Sequence, residues 1–293
     1  MVNEVYKYVP PERMDILKSK RICFSKKEQL NDSFEFELEF KICGDEGKDL
    51  DYMIAQFCSS PDLEEQKNML MKAKEIQEFQ LNRKFSFEEY LYYLSENNPE
   101  INERIKGYIK ATKHLYSLGV IDNLCVLSLT NRWDSNYMWG HYASSSKGFM
   151  IGFDKKHAFF DRRVSKDDML RSLHNVIYHD EPPVVYINNT LNKEGTVSNH
   201  MFYNKHTDHK QEEECRIIDS IDNASFVTET GYHLFDIPKG LITSITLGHN
   251  TKQEDEEEIK NLIMNDDFFE GTQLFKASPD SKNRKIDRYP LID

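Results

Sequence analysis

The segment HKQEEECRIID, residues 209–219, sets carboxylates and a guanidinium against apolar side chains. Glu212, Glu213 and Glu214 run into Cys215, Ile217 and Ile218, with Arg216 between them. If 212–218 is a strand, side chains alternate between faces, so Glu212, Glu214 and Arg216 share one face with the two carboxylates about 7 Å apart. Such a row either meets water at a sheet edge or lines a cleft. At an edge a Glu–Arg pair contributes less than about 1 kcal/mol. In a cleft the carboxylates hold a hydroxyl, take a proton or stabilise developing positive charge.

Two other stretches concentrate groups of this kind. SLTNRWDSNYMWGHYASSSKG, residues 128–148, holds both tryptophans of the chain together with Arg132, His141 and Tyr142. Aromatic rings interspersed with polar donors suit a planar ligand. Met138, Trp139 and Tyr142 are equally spaced to dock one short helix. VYKYVPPE, residues 5–12, puts Tyr6 and Tyr8 on one strand face with Lys7 opposite. The nearby CFSKKEQLNDSFE carries Ser25, then Asn31-Asp32, a pair that favours a turn in which the Asp caps its own backbone, then Glu35.

Positioning these groups requires strands. Apolar runs bounded by turn residues predict them at 21–25, 36–43, 123–130, 148–154, 183–188, 214–219, 232–237, 241–248 and 272–278. Helices are predicted where caps and 3.6-residue periodicity coincide. Ser60-Pro61 opens one. Ser86 and Glu89 form a capping box, with Phe85 stapled to Tyr90. Another starts at Asn98-Pro99 and stops at Gly119, and Thr251 with Glu254 opens the acidic helix near the end. The reading is one α+β domain over 1–293, with mixed or antiparallel sheets around a central cleft and a helical insertion at about 49–118. The clearest local break is EPP at 181–183.

Composition narrows the function. The 293 residues carry a formal net charge of −12, which opposes a sequence-independent grip on duplex nucleic acid. The five cysteines form no C-x-x-C pair and sit mostly among apolar neighbours, so buried thiols are expected rather than zinc or disulfides. No apolar run approaches the roughly 20 residues of a membrane span, and the first residues lack an apolar signal core. A cytoplasmic protein is expected.

Together the three clusters resemble the bacterial family catalogued as domain of unknown function 2971. The likeness rests on Tyr6-Lys7-Tyr8, Ser25, Asn31 to Glu35, Met138-Trp139 to Ala143 with Gly148, and the run from Lys205 to Arg216. Ser33 stands where the family usually has Pro, and His209 where it has Trp. The layout is also similar to ADP-ribosyltransferase folds, which clamp NAD between two small sheets. That likeness implies NAD as substrate, with no permanently bound cofactor and no metal. Glu214 would stabilise the ribosyl cation, Glu212 would orient or deprotonate a protein or other acceptor, and His141 would assist. Tyr6, Tyr8 or Trp139 would stack on a ring, and Lys7, Arg132 or Arg216 would meet phosphate. Ser25, Asn31, Asp32 and Tyr142 would complete the ligand contacts. Two alternatives stand beside it. One is a metal-dependent phosphoesterase or nuclease using Asp32, Glu35, Glu212 and Glu214. The other is a non-catalytic nucleotide sensor or interaction module in stress or phage defence.

Overall fold

In the computed structural model the sequence folds into an α+β architecture whose largest element is an eight-stranded mixed sheet. The structure describes residues 3–32, 34–37, 39–41, 51, 54, 55, 58, 63–98, 121–166, 168, 170–186 and 202–291. In chain order the elements begin with β1 (Glu4–Val9), α1 (Asp15–Ser19), β2 (Arg21–Phe24), β3 (Glu39–Lys41), α2 (Glu64–Leu81) and α3 (Phe87–Asn97). Then follow β4 (Leu124–Thr130), α4 (Asn136–His141), β5 (Phe149–Asp154), β6 (His174–Asn175), β7 (Ile177–His179), β8 (Val184–Tyr186), β9 (Asn204–His206) and β10 (Glu214–Ser220). The chain closes with β11 (Phe226–Val227), β12 (His233–Asp236), β13 (Ile242–Leu247), α5 (Gln253–Asn265), β14 (Gln273–Asp280) and β15 (Lys285–Pro290).

The chain divides into two compact units. The first comprises Met1–Phe36, Ile121–Glu181 and Asn199–Asp293, and the second Glu37–Val120 and Pro182–Ser198. The EPP break therefore coincides with a crossing from one unit to the other. In the first unit the large sheet runs β15-β14-β13-β5-β1-β4-β10-β6, beside a three-stranded sheet β11-β12-β2. Val5, Val9, Leu127, Leu129, Ile151, Ile217 and Ile245 point to one side of the large sheet and form its main apolar core with Phe24, Phe159 and Phe269. A smaller cluster on Tyr6, Tyr8, Met138, Trp139 and Met150 covers the other side. Strand alternation produces this split: Val5 and Val9 of β1 enter the main core, and Tyr6 and Tyr8 the smaller one.

α4 is short and capped by Ser135, whose hydroxyl accepts from the Met138 N–H. After it come Ser144, Ser145 and Ser146, all with left-handed backbone. Such a run costs energy in an L-chain, and the following loop holds it. Gly148 and Gly248 lie so close to neighbouring backbone that a Cβ at either would sit 2.1 Å from a carbonyl oxygen. The Thr251 hydroxyl bonds the Gly148 and Gly248 carbonyls. That use displaces the expected Thr251–Glu254 capping box: α5 starts at Gln253, with Lys252 as an N-cap that makes no side-chain bond.

In the second unit, β3 and β8 pair in parallel. The expected strand at 36–43 is observed at Glu39–Lys41, and Phe36 before it has a φ of 58° that no strand accommodates. The Ser86–Glu89 capping box forms at α3, with Phe85 and Tyr90 ring centroids 6.2 Å apart. Glu78, buried near the end of α2, accepts from Lys74, Lys84 and the Phe85 N–H, tying α2 to the entry of α3. The expected cap at Ser60 and helix at 98–119 lie, but for Asn98, outside the described residues. Cys23, Cys125 and Cys215 are buried, as apolar neighbours predicted, Cys58 is only half-buried, and Cys43 lies outside the described residues. Among the described residues no helix is long and apolar enough to cross a membrane.

Candidate functional site

Strand register brings the distant segments together. β4 pairs with β10 through Glu214↔Thr130 and Arg216↔Ser128, and with β1 at Tyr6↔Thr130. Tyr6, Thr130 and Glu214 therefore lie abreast on three adjacent strands, with their side chains on one face. Beyond Tyr6, β1 stays with β5 through Val9↔Phe149 and leaves β4. The edge that β4 exposes is taken up again only at Val126, by a bridge from Ser25 after β2. Between these two attachments the sheet is split, and the Lys7 ammonium crosses the split to donate to the Ser128 carbonyl at 2.9 Å. A cavity of about 180 Å³ opens here, walled by Tyr6, Lys7, Tyr8, Asn31, Glu212 and Glu214 among others, all in the first unit.

The acidic segment reaches the cavity by a different route from the one its spacing suggests. The expected strand over 212–218 begins at Glu214, and residues 207–212 form a 3₁₀ helix. Glu213 adopts left-handed backbone, φ 42°, and turns outward. Thr130 Oγ1 fixes the turn by donating to the Glu212 carbonyl at 2.6 Å. Glu212 and Glu214 thus both point inward, because of a turn and not because of alternation. Each is only 4% exposed, which places the carboxylate row in a cleft and not at a wet edge.

Five side chains there form an alternating chain of charge. Lys205 Nζ donates to Glu212 Oε2 at 2.8 Å and to Glu214 Oε2 at 3.1 Å. Arg216 Nε donates to Glu214 Oε1 at 2.9 Å, and its two terminal nitrogens reach Glu35 at 2.8 and 3.4 Å. Phe202 O takes a further bond from Arg216. Buried ions are costly singly, and closure into one hydrogen-bonded chain offsets that cost. The protonation states follow. Burial would raise the Glu214 carboxyl, but the Arg216 and Lys205 charges outweigh it and hold the group at about 2. Burial would lower Arg216 and Lys205, yet their flanking carboxylates raise both. At Glu35 burial wins over the Arg216 charge, and the carboxyl is raised.

Around this chain lie neutral donors. The Tyr142 hydroxyl donates to Glu212 Oε1 at 2.5 Å and accepts from Asn31 Nδ2 at 2.7 Å. Burial first, then Glu212, keeps that phenol protonated. His209 Nδ1 lies 3.2 Å from Glu212 Oε1, and its Nε2 3.7 Å from Asp32. Tyr6 donates to Glu4, and burial, then the Glu4 charge, lifts its phenol to about 12. Tyr8 donates to the Arg132 carbonyl.

The sequence-derived residues separate accordingly. Tyr6, Lys7, Tyr8, Ser25, Asn31, Tyr142, Glu212, Glu214 and Arg216 line the cavity. Trp139 does not: it is fully buried and packs edge-to-face behind Tyr8 at 5.0 Å, because the smaller apolar cluster needs its volume. Exposed His141 packs its ring at a tilt against Tyr137, centroids 4.4 Å apart, since the helix turns it away from the cavity wall. Arg132 pairs with Asp134 and Glu213 beside the site. Asp32 caps the Phe34 N–H, as its turn chemistry predicts, and faces His209. Lys205 was not expected among the site residues, and Glu35, expected there only as a metal ligand, instead pairs with Arg216. The spacing of Lys205 before Glu212, Glu214 and Arg216 was the available signal. Among the described residues no group of three His, Cys, Asp or Glu is placed to hold a metal ion, because Glu35, Glu212 and Glu214 are spent on Lys205 and Arg216.

Residues 138–217 match the model of a family described as protein of unknown function (DUF2971). The likeness is to DUF2971. The matched segment runs from Met138 in α4 to Ile217 in β10 and includes Tyr142, Lys205, Glu212, Glu214 and Arg216. Tyr6, Lys7, Asn31 and Glu35 precede it, so the cavity is assembled from the DUF2971 segment and from the chain before it. No curated protein and no solved structure matches the chain. The ADP-ribosyltransferase likeness gains no support from these comparisons, and the cavity lies at a split within one sheet instead of between two.

Proposed function

We propose that the cavity receives the ribosyl end of a nucleotide, and that its reaction is cleavage or transfer at the glycosidic bond of NAD. One observation carries the reading: Glu214 is held ionised in the cavity wall, abreast of Tyr6. Breaking a bond from ribose to nicotinamide leaves the electron pair on the departing nitrogen and positive charge on the sugar. A fixed carboxylate lowers that barrier because its charge needs no reorganisation as the bond breaks. The size agrees with a partial fit. At about 180 Å³ the cavity falls below the roughly 300–1,000 Å³ that encloses a drug-sized ligand, so it takes one ring and leaves the remainder of a dinucleotide outside. In this reading Tyr142 and Asn31 bond sugar hydroxyls, and Glu212 orients the acceptor, a water or a protein side chain. The setting is cytoplasmic, in stress or phage defence.

The test is incubation of the purified chain with NAD, with nicotinamide followed by chromatography. Release is expected, and Glu214→Gln, checked for folding by circular dichroism, should slow it about a hundredfold or more. NAD recovered intact and unbound would end the proposal. A second reading is favoured by the saturation of the charge chain. Every oxygen of Glu212 and Glu214 already accepts a bond, an arrangement suited to a rigid binding surface as much as to proton transfer. Calorimetric binding of NAD, with the nucleotide recovered unchanged, would select this non-catalytic module.

A further inference from the structure

Lys7 is a charged side chain in the cavity that the alternating chain does not use. It leaves β1 on the side of Val5 and Val9, where a lysine has no place in an apolar core, and escapes that core by entering the split between β1 and β4. It is half-buried and lines the cavity. Its hydrogen-bond partner is a neutral carbonyl, Ser128 O, and among the described residues no carboxylate forms an ion pair with it. Every other cation of the cavity wall, Lys205 and Arg216, has two carboxylates. The titratable groups whose fields reach Lys7 are Cys23 on β2, Glu214 on β10 and Arg13 in the 3₁₀ turn before α1. Burial dominates them and pulls the ammonium below its ordinary range.

We propose that Lys7 is a nucleophilic amine that forms an imine with a small aldehyde or ketone entering the cavity. The walls supply hydroxyls, amides and charges and leave room for one ring or a short chain, so the ligand class is a polyhydroxylated carbonyl compound such as an open-chain sugar. The step balances without a further reagent. The Lys7 lone pair forms a bond to the carbonyl carbon, the carbonyl oxygen takes up protons and leaves as water, and an iminium results. The step consumes one proton from solvent overall. The iminium bears a fixed positive charge, and ionised Glu214 is the carboxylate whose field favours it. This proposal does not rest on the glycosidic reading, since it requires neither NAD nor a leaving group.

Reductive trapping tests it. The full-length chain is incubated with glyceraldehyde and cyanoborohydride at mildly acidic pH, and the modified lysines are mapped by peptide mass spectrometry. The Lys7 peptide should be modified severalfold faster than those of exposed Lys147 and Lys239. A neutral amine survives to lower pH at a site where the ammonium is disfavoured, so the advantage should widen as pH falls. Lys7→Arg, which keeps the charge, should abolish trapping at that peptide and leave Lys147 and Lys239 unchanged. Trapping at Lys7 no faster than at the exposed lysines, or protection of Lys7 from the reagent, overturns the proposal. The comparison within one wild-type sample holds even if the variant misfolds.

Discussion

Glu214 carries two roles that can be separated by pH. Its carboxyl is depressed from the ordinary 4.5 to about 2 in the folded chain, so it contributes stability that is fully present above the unfolded value. That contribution is lost as pH falls from about 4.5 through about 2. Glu35 acts with the opposite sign: its raised carboxyl opposes folding at neutral pH and is relieved when protonated. Urea denaturation midpoints between about pH 6 and pH 3 should fall steeply for the wild type. For Glu214→Gln they should start lower and fall less, because the linked protonation is gone. Parallel slopes would mean that Arg216 and Lys205 do not hold the carboxylate as described. Individual residues were partly legible in the sequence. Glu212, Glu214 and Arg216 announced themselves because three carboxylates before an apolar strand are unusual. Lys205 did so only through its spacing to Glu212, Glu214 and Arg216, and spacing alone does not say that the fold closes it onto both carboxylates.

Elements were legible where the signal is local. The Ser86–Glu89 box needs only four residues and forms as its sequence predicts, with Glu89 N donating to Ser86 Oγ at 3.0 Å and Ser86 N to Glu89 Oε2 at 2.6 Å. Replacing Ser86 by Ala should therefore destabilise α3 by about 1 kcal/mol. Faster amide exchange in residues 87–90, with the large sheet of the first unit unaffected, is the measurement. The Thr251–Glu254 box fits the same pattern and does not form. Its hydroxyl is committed to the Gly148 and Gly248 carbonyls, more than a hundred residues away in the first case. A tertiary demand overrode a local one. The turn at Glu213 is a similar case: period-two alternation assigned Glu212 the right direction for the wrong reason, since a left-handed residue reverses the chain between the two glutamates.

At the scale of the molecule, sequence patterns gave the α+β class and most strands of the large sheet, but not β6 or β15 and not the order of strands. Nothing in β1 alone reveals that it follows β5 and departs from β4, and that departure creates the cavity. The sheet has little tolerance where β1, β5 and β13 meet. A Cβ on Gly152 would lie 2.2 Å from Ser244 Oγ and 2.8 Å from Glu4 Oε1. Ser244 and Thr243 both donate to that carboxylate, which also receives the Tyr6 hydroxyl. Gly152→Ala should thus cost about 1–3 kcal/mol by overpacking, read from chemical unfolding. Adding Ser244→Ala should recover part of the loss, because Thr243 still serves Glu4 once the clashing oxygen is removed. No recovery would place the strain elsewhere in the sheet.

The alternating row Glu212–Lys205–Glu214–Arg216–Glu35 also constrains how such a chain can vary. A single replacement strands a neighbour without its counter-charge in a dry interior, so no member is free to drift alone. Descendants that abandon one of the five must exchange its partners in the same lineage, and the set is inherited or discarded as a block.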